Sequence, residues 1–215
     1  MVYFIIISKK DEASLNIKEN LLRDYNFIKH AHFFDNNEVF ILNPKMKKAF
    51  TVLKEEVKAA INQDSCFDFE YTVEVTHHGP FTETPSVFIE IGSNEEQWKN
   101  KEAGKIIADV IFKTITDVST TDMSTDAPKT KSVIVFGGGH YSPAANNILE
   151  NTEYAVGHMA SKYAAEHLDE DLVRQMYIGD MNNISFAVLD WKGLGAEKKR
   201  LVKILDRLKI PYQKQ

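Results

Sequence analysis

The chain has 215 residues, 43% of them hydrophobic, with a net charge of −5 and one cysteine. That is enough apolar material for one ordinary globular core, and Cys66 alone can form neither an internal disulfide nor a thiolate metal centre, which fits a reducing cytoplasm. No apolar run approaches the roughly 20 residues a membrane-crossing helix needs, and Val2 to Ile7 passes straight into Ser8-Lys9-Lys10-Asp11 without a basic n-region or cleavage site, so no signal peptide is expected.

In chain order, Val2 to Ser8 is a continuous apolar run of the buried parallel-strand kind, and Ala13 to Asp24 reads as a helix with Leu15, Leu21 and Leu22 turned inward. Glu38 to Leu42 is a short strand candidate. Pro44, capped by Asn43, then opens a helix carrying Phe50, Leu53, Val57 and Ile61. Phe67 to Thr76 alternates apolar and polar residues, and Ser86 to Ile91 is a second strand placed to pair with it. Glu95 to Ile115 has the helical period, with Trp98, Ile106, Val110 and Ile111 facing the core. Asp117 to Lys131 is rich in Thr, Ser and Asp without hydrophobic period, which predicts a flexible loop or insertion within a single domain spanning 1–215. Ser132 to Phe136, Tyr154 to Val156 and Ser185 to Leu189 follow as strands, and Asp169 to Tyr177 and Gly195 to Leu208 as helices. Strands spaced by helices predict an α/β fold: a mostly parallel sheet with helices on both faces.

In such sheets ligands gather at the carboxyl ends of the strands, and this reading puts His77, Gly92, Gly137 and Asp190 there. Polar and ionisable groups crowd the same stretches. An imidazole or carboxylate costs several kcal/mol to desolvate without a partner, so Thr76-His77-His78-Gly79-Pro80 and Glu90 beside Val, Phe and Ile suggest a site. Consecutive histidines on a strand face opposite ways; His78 is assigned to the site and His77 to a structural hydrogen bond. The plain alternative for each is a satisfied, partly buried imidazole. Glu90 shares a face with Phe88, and Glu74 lies between Val73 and Val75; each is expected to have a raised pKa if desolvated or else to pair with His or a cation, the alternative being an edge charge facing solvent.

Gly137-Gly138-Gly139-His140 has neither GxGxxG spacing nor a phosphate-loop Gly-Lys-Ser/Thr. Its glycines allow close backbone approach and expose successive N–H donors, although a tight turn would use them equally well. Ser142 caps a helix begun by Pro143, which would set a positive helix end beside His140, suited to a phosphate, carboxylate or developing oxyanion. No GxSxG elbow occurs, which argues against a serine esterase. From Trp191 onward eight Lys and Arg face only Glu197 and Asp206. On a helix Lys199, Arg200, Lys203 and Arg207 share a face opposite Leu194, Leu201, Leu205 and Leu208, which makes either a solvated outer face or a contact for a phosphate backbone.

Thr76 to Pro80, Glu83-Thr84-Pro85-Ser86-Val87-Phe88-Ile89-Glu90-Ile91-Gly92-Ser93, Trp98, Gly137 to Pro143, Gly157-His158, Asp190-Trp191-Lys192-Gly193-Leu194 and the opening Ser8 to Ser14 together resemble the archaeal and plant type of D-aminoacyl-tRNA deacylase. The resemblance implies hydrolysis of the ester between a D-amino acid and the 3′ end of tRNA in translation quality control, a zinc cofactor, and a fold of the peptidyl-tRNA hydrolase and nucleoside phosphorylase kind. Between Leu42 and Pro44 the chain departs from the family, whose members usually carry several dozen more residues there, including an Arg-His pair and a His-Pro-Thr-Gly segment. On this reading His78 and His140 are bases or zinc ligands, and Glu90 is a base, a ligand or an orienting group, since two His, a carboxylate and water make a catalytic zinc shell. Thr84, the Gly137, Gly138 and Gly139 amides, His158 and Lys192 are the substrate-binding positions, a structural role being the alternative for His158 and a plain surface lysine that for Lys192. The partner is the aminoacylated 3′ end of tRNA, met by a cytoplasmic monomer with no membrane attachment. Two other classes fit the residues: a non-catalytic tRNA-binding relative, marked by binding without turnover, and a nucleoside hydrolase or phosphorylase, marked by activity on free nucleosides.

Overall fold

A computed structural model of the chain describes residues 2–9, 39–64, 66–75, 86–92, 94–116, 131–178 and 184–215. Its strands form two sheets. In the smaller, β1 (Val2–Lys9) lies between β2 (Phe69–Glu74), which runs antiparallel to it, and β3 (Ser86–Ile91), which runs parallel. The larger is wholly parallel and contains β4 (Ser132–Phe136), β5 (Ala155–Ala160), β6 (Ile184–Leu189) and β7 (Tyr212–Lys214) in the order β5-β4-β6-β7.

Strand β4 shows why the larger sheet is covered on both sides. Its five residues are all buried, and the two-residue period of a strand sends Val133 and Val135 into one core and Ile134 and Phe136 into another. The first core is filled by α1 (Val39–Gln63), through Met46, Phe50, Leu53 and Val57, with α3 (Lys101–Thr116), α4 (Pro143–Asn151) and the inward face of β2. The second is filled by α5 (Glu170–Ile178) and α6 (Lys198–Leu208); Leu201, Ile204 and Leu205 of α6 repeat at helical spacing and are buried. Helices on both faces of a mainly parallel sheet are the α/β architecture expected from the sequence. Lys47 secures α1 to the larger sheet, donating to the carbonyls of Thr152 and Tyr154, the latter at 2.8 Å, and so satisfying acceptors left open where α4 ends.

Four expectations are corrected. Glu38 to Leu42 is not a strand, because α1 begins at Val39 and continues through Pro44; a four-residue apolar run is too short for periodicity to separate strand from helix. The long helix from Glu95 is broken: α2 (Glu95–Trp98) is capped by Asn94, whose side chain accepts from the Glu96 amide at 2.9 Å, and Asn100 caps α3 by accepting from Ala103 at 2.9 Å. The break rotates Trp98 into solvent, 58% exposed, and Ile111 is likewise exposed at 42%, whereas Ile106 and Val110 are buried as expected. Strand β3 does not pair with β2, because β1 separates them. The helix expected at Ala13 to Asp24 and nearly all of the loop at Asp117 to Lys131 lie outside the described residues. Among the described residues no helix is long and apolar enough to cross a membrane.

Phe50 has no exposed surface, whereas Phe112 is 65% exposed. Phe50→Ala should therefore cost about 3 to 5 kcal/mol in urea unfolding, and Phe112→Ala at most about 0.5 kcal/mol; similar midpoints for the two variants would contradict this assignment of the core.

Candidate active site

The two sheets meet where β4 ends. Beyond Phe136 the backbone turns through Gly137 and Gly138, both at positive φ (+121° and +81°), a region that favours glycine. It then returns extended along the free edge of β2: Val75 N–H donates to the His140 carbonyl at 2.9 Å, and Ser142 N–H to the Val73 carbonyl at 3.1 Å. Ser142 Oγ accepts from Ala145 N–H at 3.2 Å, and Pro143 is the first residue of α4, so the expected cap forms. Asn146 of α4 completes the seam: its Oδ1 accepts from Val73 N–H at 2.8 Å and its Nδ2 donates to Thr72 Oγ1 at 2.9 Å.

This pairing brings Glu74 against His140. The Glu74 side chain is buried, and its Oε1 is paired with Nε2 of His140, whose ring keeps 23% of its surface exposed. A buried carboxylate is costly unless it is paired, and here its partner is an imidazole at the protein surface. Tyr141 stacks beside that imidazole, tilted, with ring centroids 4.9 Å apart. A partly exposed imidazole held through one nitrogen by a buried carboxylate is the arrangement of an oriented general base.

The glycine loop is braced from β6. Asp190, just past the strand, accepts from Gly138 N–H at 3.2 Å and Gly193 N–H at 3.0 Å, one bond to each carboxylate oxygen. Side chains would not fit at the clasp: a Cβ on Gly137 would stand 2.5 Å from Asp190 Cβ, and one on Gly193 2.1 Å from Asp190 Oδ2. Gly137 N–H donates to Ala160 at 2.8 Å and Gly139 N–H to Tyr141 at 3.1 Å. All three glycine amides are therefore spent within the protein, which corrects the expectation that Gly137, Gly138 and Gly139 present free donors to an anion.

A family model described as D-aminoacyl-tRNA deacylase matches residues 35–213. The chain belongs to the D-aminoacyl-tRNA deacylase family. A protein of that name from Methanococcus vannielii is 31% identical over 211 residues, covering 96% of this chain and 77% of the relative. One from Methanococcus maripaludis strain S2 is 34% identical over 212 residues with the same two shares. A crystal structure of a conserved protein of unknown function superposes with a TM-score of 0.64 at 20% identity, covering 99% of this chain and 65% of the other, which supports the fold. The chain thus spans about two thirds of that structure's length.

Within this family member, the structure brings together only part of the site read from sequence. His78 and Thr84 lie outside the described residues, as does His77. Glu90 is half-buried on β3, level with Ile6 of β1 and hence with Thr72 of β2. His140 lies one strand beyond β2, so three strand spacings, roughly 14 Å, separate the two backbones across the sheet. Glu90 and His140 are thus not neighbours, and the partner that the fold gives His140 is Glu74. Because β2 is antiparallel to β3, Gly92 sits at the opposite end of the small sheet from Val75, not on a common rim with it. Gly137 and Asp190 do share a rim, as expected. Lys192 is exposed beside them. Among the described residues no three His, Cys, Asp or Glu side chains are grouped to hold a metal ion.

His158 is also corrected. Strand β5 continues to Ala160, so His158 lies inside it instead of at its end, and only 5% of it is exposed. The pairing with β4 slips there: Val133 faces Val156 and Val135 faces Met159, so Gly157 and His158 together oppose Ile134 in a bulge. Glu74 and Asp190 are the working residues that spacing alone did not assign. A signal for Asp190 was present, since Asp ahead of a Gly three residues on is a side-chain-capped turn pattern.

Burial lowers the His158 pKa from 6.5 to about 3. The folded protein therefore keeps this imidazole neutral, while the unfolded chain takes up a proton near pH 6.5. The stability it contributes is intact above pH 6.5 and lost as pH falls from there toward 3, at about 1.4 kcal/mol per pH unit. Between pH 7 and pH 5 the protein should lose about 2 kcal/mol more than His158→Gln does, measured by urea unfolding at both pH values; equal losses would show that His158 protonates freely in the folded state.

Proposed function

We propose that this chain hydrolyses the ester joining a D-amino acid to the 3′ end of tRNA, releasing free D-amino acid and tRNA, and does so in the cytoplasm as a monomer. The observation that carries the reading is the Glu74–His140 pair at the seam of the two sheets, in a member of a family named for this hydrolysis. His140, its Nε2 held by Glu74, takes a proton from water as that water attacks the ester carbonyl; the tetrahedral intermediate collapses and the proton held on the imidazole passes to the departing ribose hydroxyl. Glu74 holds the ring in register and stabilises the imidazolium that forms transiently. The glycine loop, braced by Asp190, contributes a surface without side chains that lets the terminal ribose approach.

The family resemblance also implies zinc. Glu74 and His140 are donor types that zinc accepts, yet the described residues by themselves do not make a metal shell. A third donor would come from outside them, His78 being the candidate, and no step above is routed through the metal. Thr84 and Lys192, as contacts to the terminal nucleotide, remain part of the proposal, whereas Glu90, three strands from His140, does not.

The test is ester loss from D-tyrosyl-tRNA and L-tyrosyl-tRNA, with and without a zinc chelator, for the wild type, His140→Ala and Glu74→Gln. Release selective for the D-ester, reduced about 10²- to 10⁴-fold in His140→Ala and by an intermediate factor in Glu74→Gln, is the expected result. Chelator sensitivity would assign the metal a part. A folded, zinc-supplied wild type that releases neither ester faster than buffer would sink the hydrolase reading and leave a binding-only relative. A His140→Ala variant as fast as the wild type would remove His140 from the mechanism.

A further inference from the structure

The structure describes lysines and arginines in ion pairs: Lys54 with Glu150, Lys99 with Glu95, Lys113 with Glu56, Arg200 with Glu197 and Arg207 with Glu170. Arg200 is tied down further, donating to the carbonyls of Leu168 and Ala165. Of the four cations that share the outer face of α6, Arg200 and Arg207 are therefore engaged within the protein. The arrangement next to the glycine loop differs. Lys214, from β7, has its ammonium 4.1 Å from the ring centroid of Trp191, and Lys198, from the start of α6, has its own at 5.1 Å. Lys192 is exposed beside that tryptophan. Among the described residues none of these three lysines is within ion-pair distance of a carboxylate side chain.

The placement is rigid. Trp191 N–H donates to the Gln215 carbonyl at 3.0 Å, and Gln215 N–H to the Leu189 carbonyl at 2.9 Å, while the preceding Asp190 grips the Gly138 and Gly193 amides. An aromatic ring attracts each ammonium by about 0.5 to 1 kcal/mol at an exposed site and neutralises neither, in a chain that is acidic as a whole. A run of phosphates would neutralise the cluster, and the tryptophan lies on the same rim as the glycine loop and His140.

We propose that Trp191, Lys192, Lys198 and Lys214 form the surface that takes the phosphate backbone of the tRNA acceptor stem and so delivers its 3′ end to the glycine loop. This inference rests on the reading that tRNA is the substrate, and it replaces the outer face of α6 as the site of backbone contact.

The test compares the variant Lys192→Gln/Lys198→Gln/Lys214→Gln with Lys58→Gln/Lys101→Gln/Lys105→Gln, which removes three exposed lysines from α1 and α3, both shown by unfolding to be folded. The probe is uncharged tRNA, its Kd followed from 50 to 200 mM KCl. The rim variant should weaken binding at least about tenfold at 100 mM and reduce the slope of log K against log salt by about 2 to 3, one phosphate contact per lysine; the α1 and α3 variant should match the wild type. Unchanged affinity and slope in the rim variant, or equal losses in both variants, would overturn the proposal. A wild type that binds tRNA through these lysines yet releases no ester fails the hydrolase reading alone, whereas one that binds no tRNA fails both.

Discussion

The antiparallel pairing of residues 140–142 with the edge of β2 is the contact on which the rest of this molecule depends. Without it the two sheets would present separate edges, and the Glu74 carboxylate would lie at an open strand border where water could reach it. With it, two backbone hydrogen bonds and the Asn146 side chain close the border. Glu74 is buried by the same event that supplies its partner. Because a buried carboxylate without a partner is strongly disfavoured, seam and pair stabilise one another, and the imidazole is oriented as a consequence of folding the two sheets together.

The loop that makes this possible spends its hydrogen bonds inward. A triple glycine ahead of a histidine invites the reading of an anion cradle, yet each amide has a protein acceptor: Ala160, Asp190 and Tyr141 in turn. The glycines are needed for positive φ and for the close approach of Asp190, which permits no Cβ at Gly137 or Gly193. Rigidity is what these bonds provide. The clasp fixes the turn after β4 to the turn after β6, so that His140, Trp191 and Lys192 hold set positions around a surface that has few side chains of its own.

How much of this was legible in the sequence follows from the range of the interactions involved. Strand β4, the helical spacing in α6 and the Ser142-Pro143 cap depend on near neighbours, and each appears where the residues put it. The insertion of β1 between β2 and β3, the Glu74–His140 pair and the Gly138–Asp190 bond join residues more than fifty positions apart, and no local period encodes them. His158 was misplaced because a bulge carried β5 past the point where Gly157 seemed to end it. Trp98 turns outward because Asn100 starts a second helix inside a continuous hydrophobic period.

Charge distribution connects the fold to the substrate it is suited to receive. A polyanion approaching a chain of net charge −5 is repelled on average, so productive encounter requires a local region of opposite sign, and such a region also fixes orientation. The basic residues are concentrated after Trp191, and there the structure separates them by use: Arg200 and Arg207 hold α6 to its neighbours, while Lys198 and Lys214 are kept over the indole. The tryptophan holds its two cations without cancelling their charge, and Asp190 fixes its backbone to the glycine loop. On the proposed reading, a group of lysines held at the rim beside the glycine loop would favour one orientation of a bound polyanion over others.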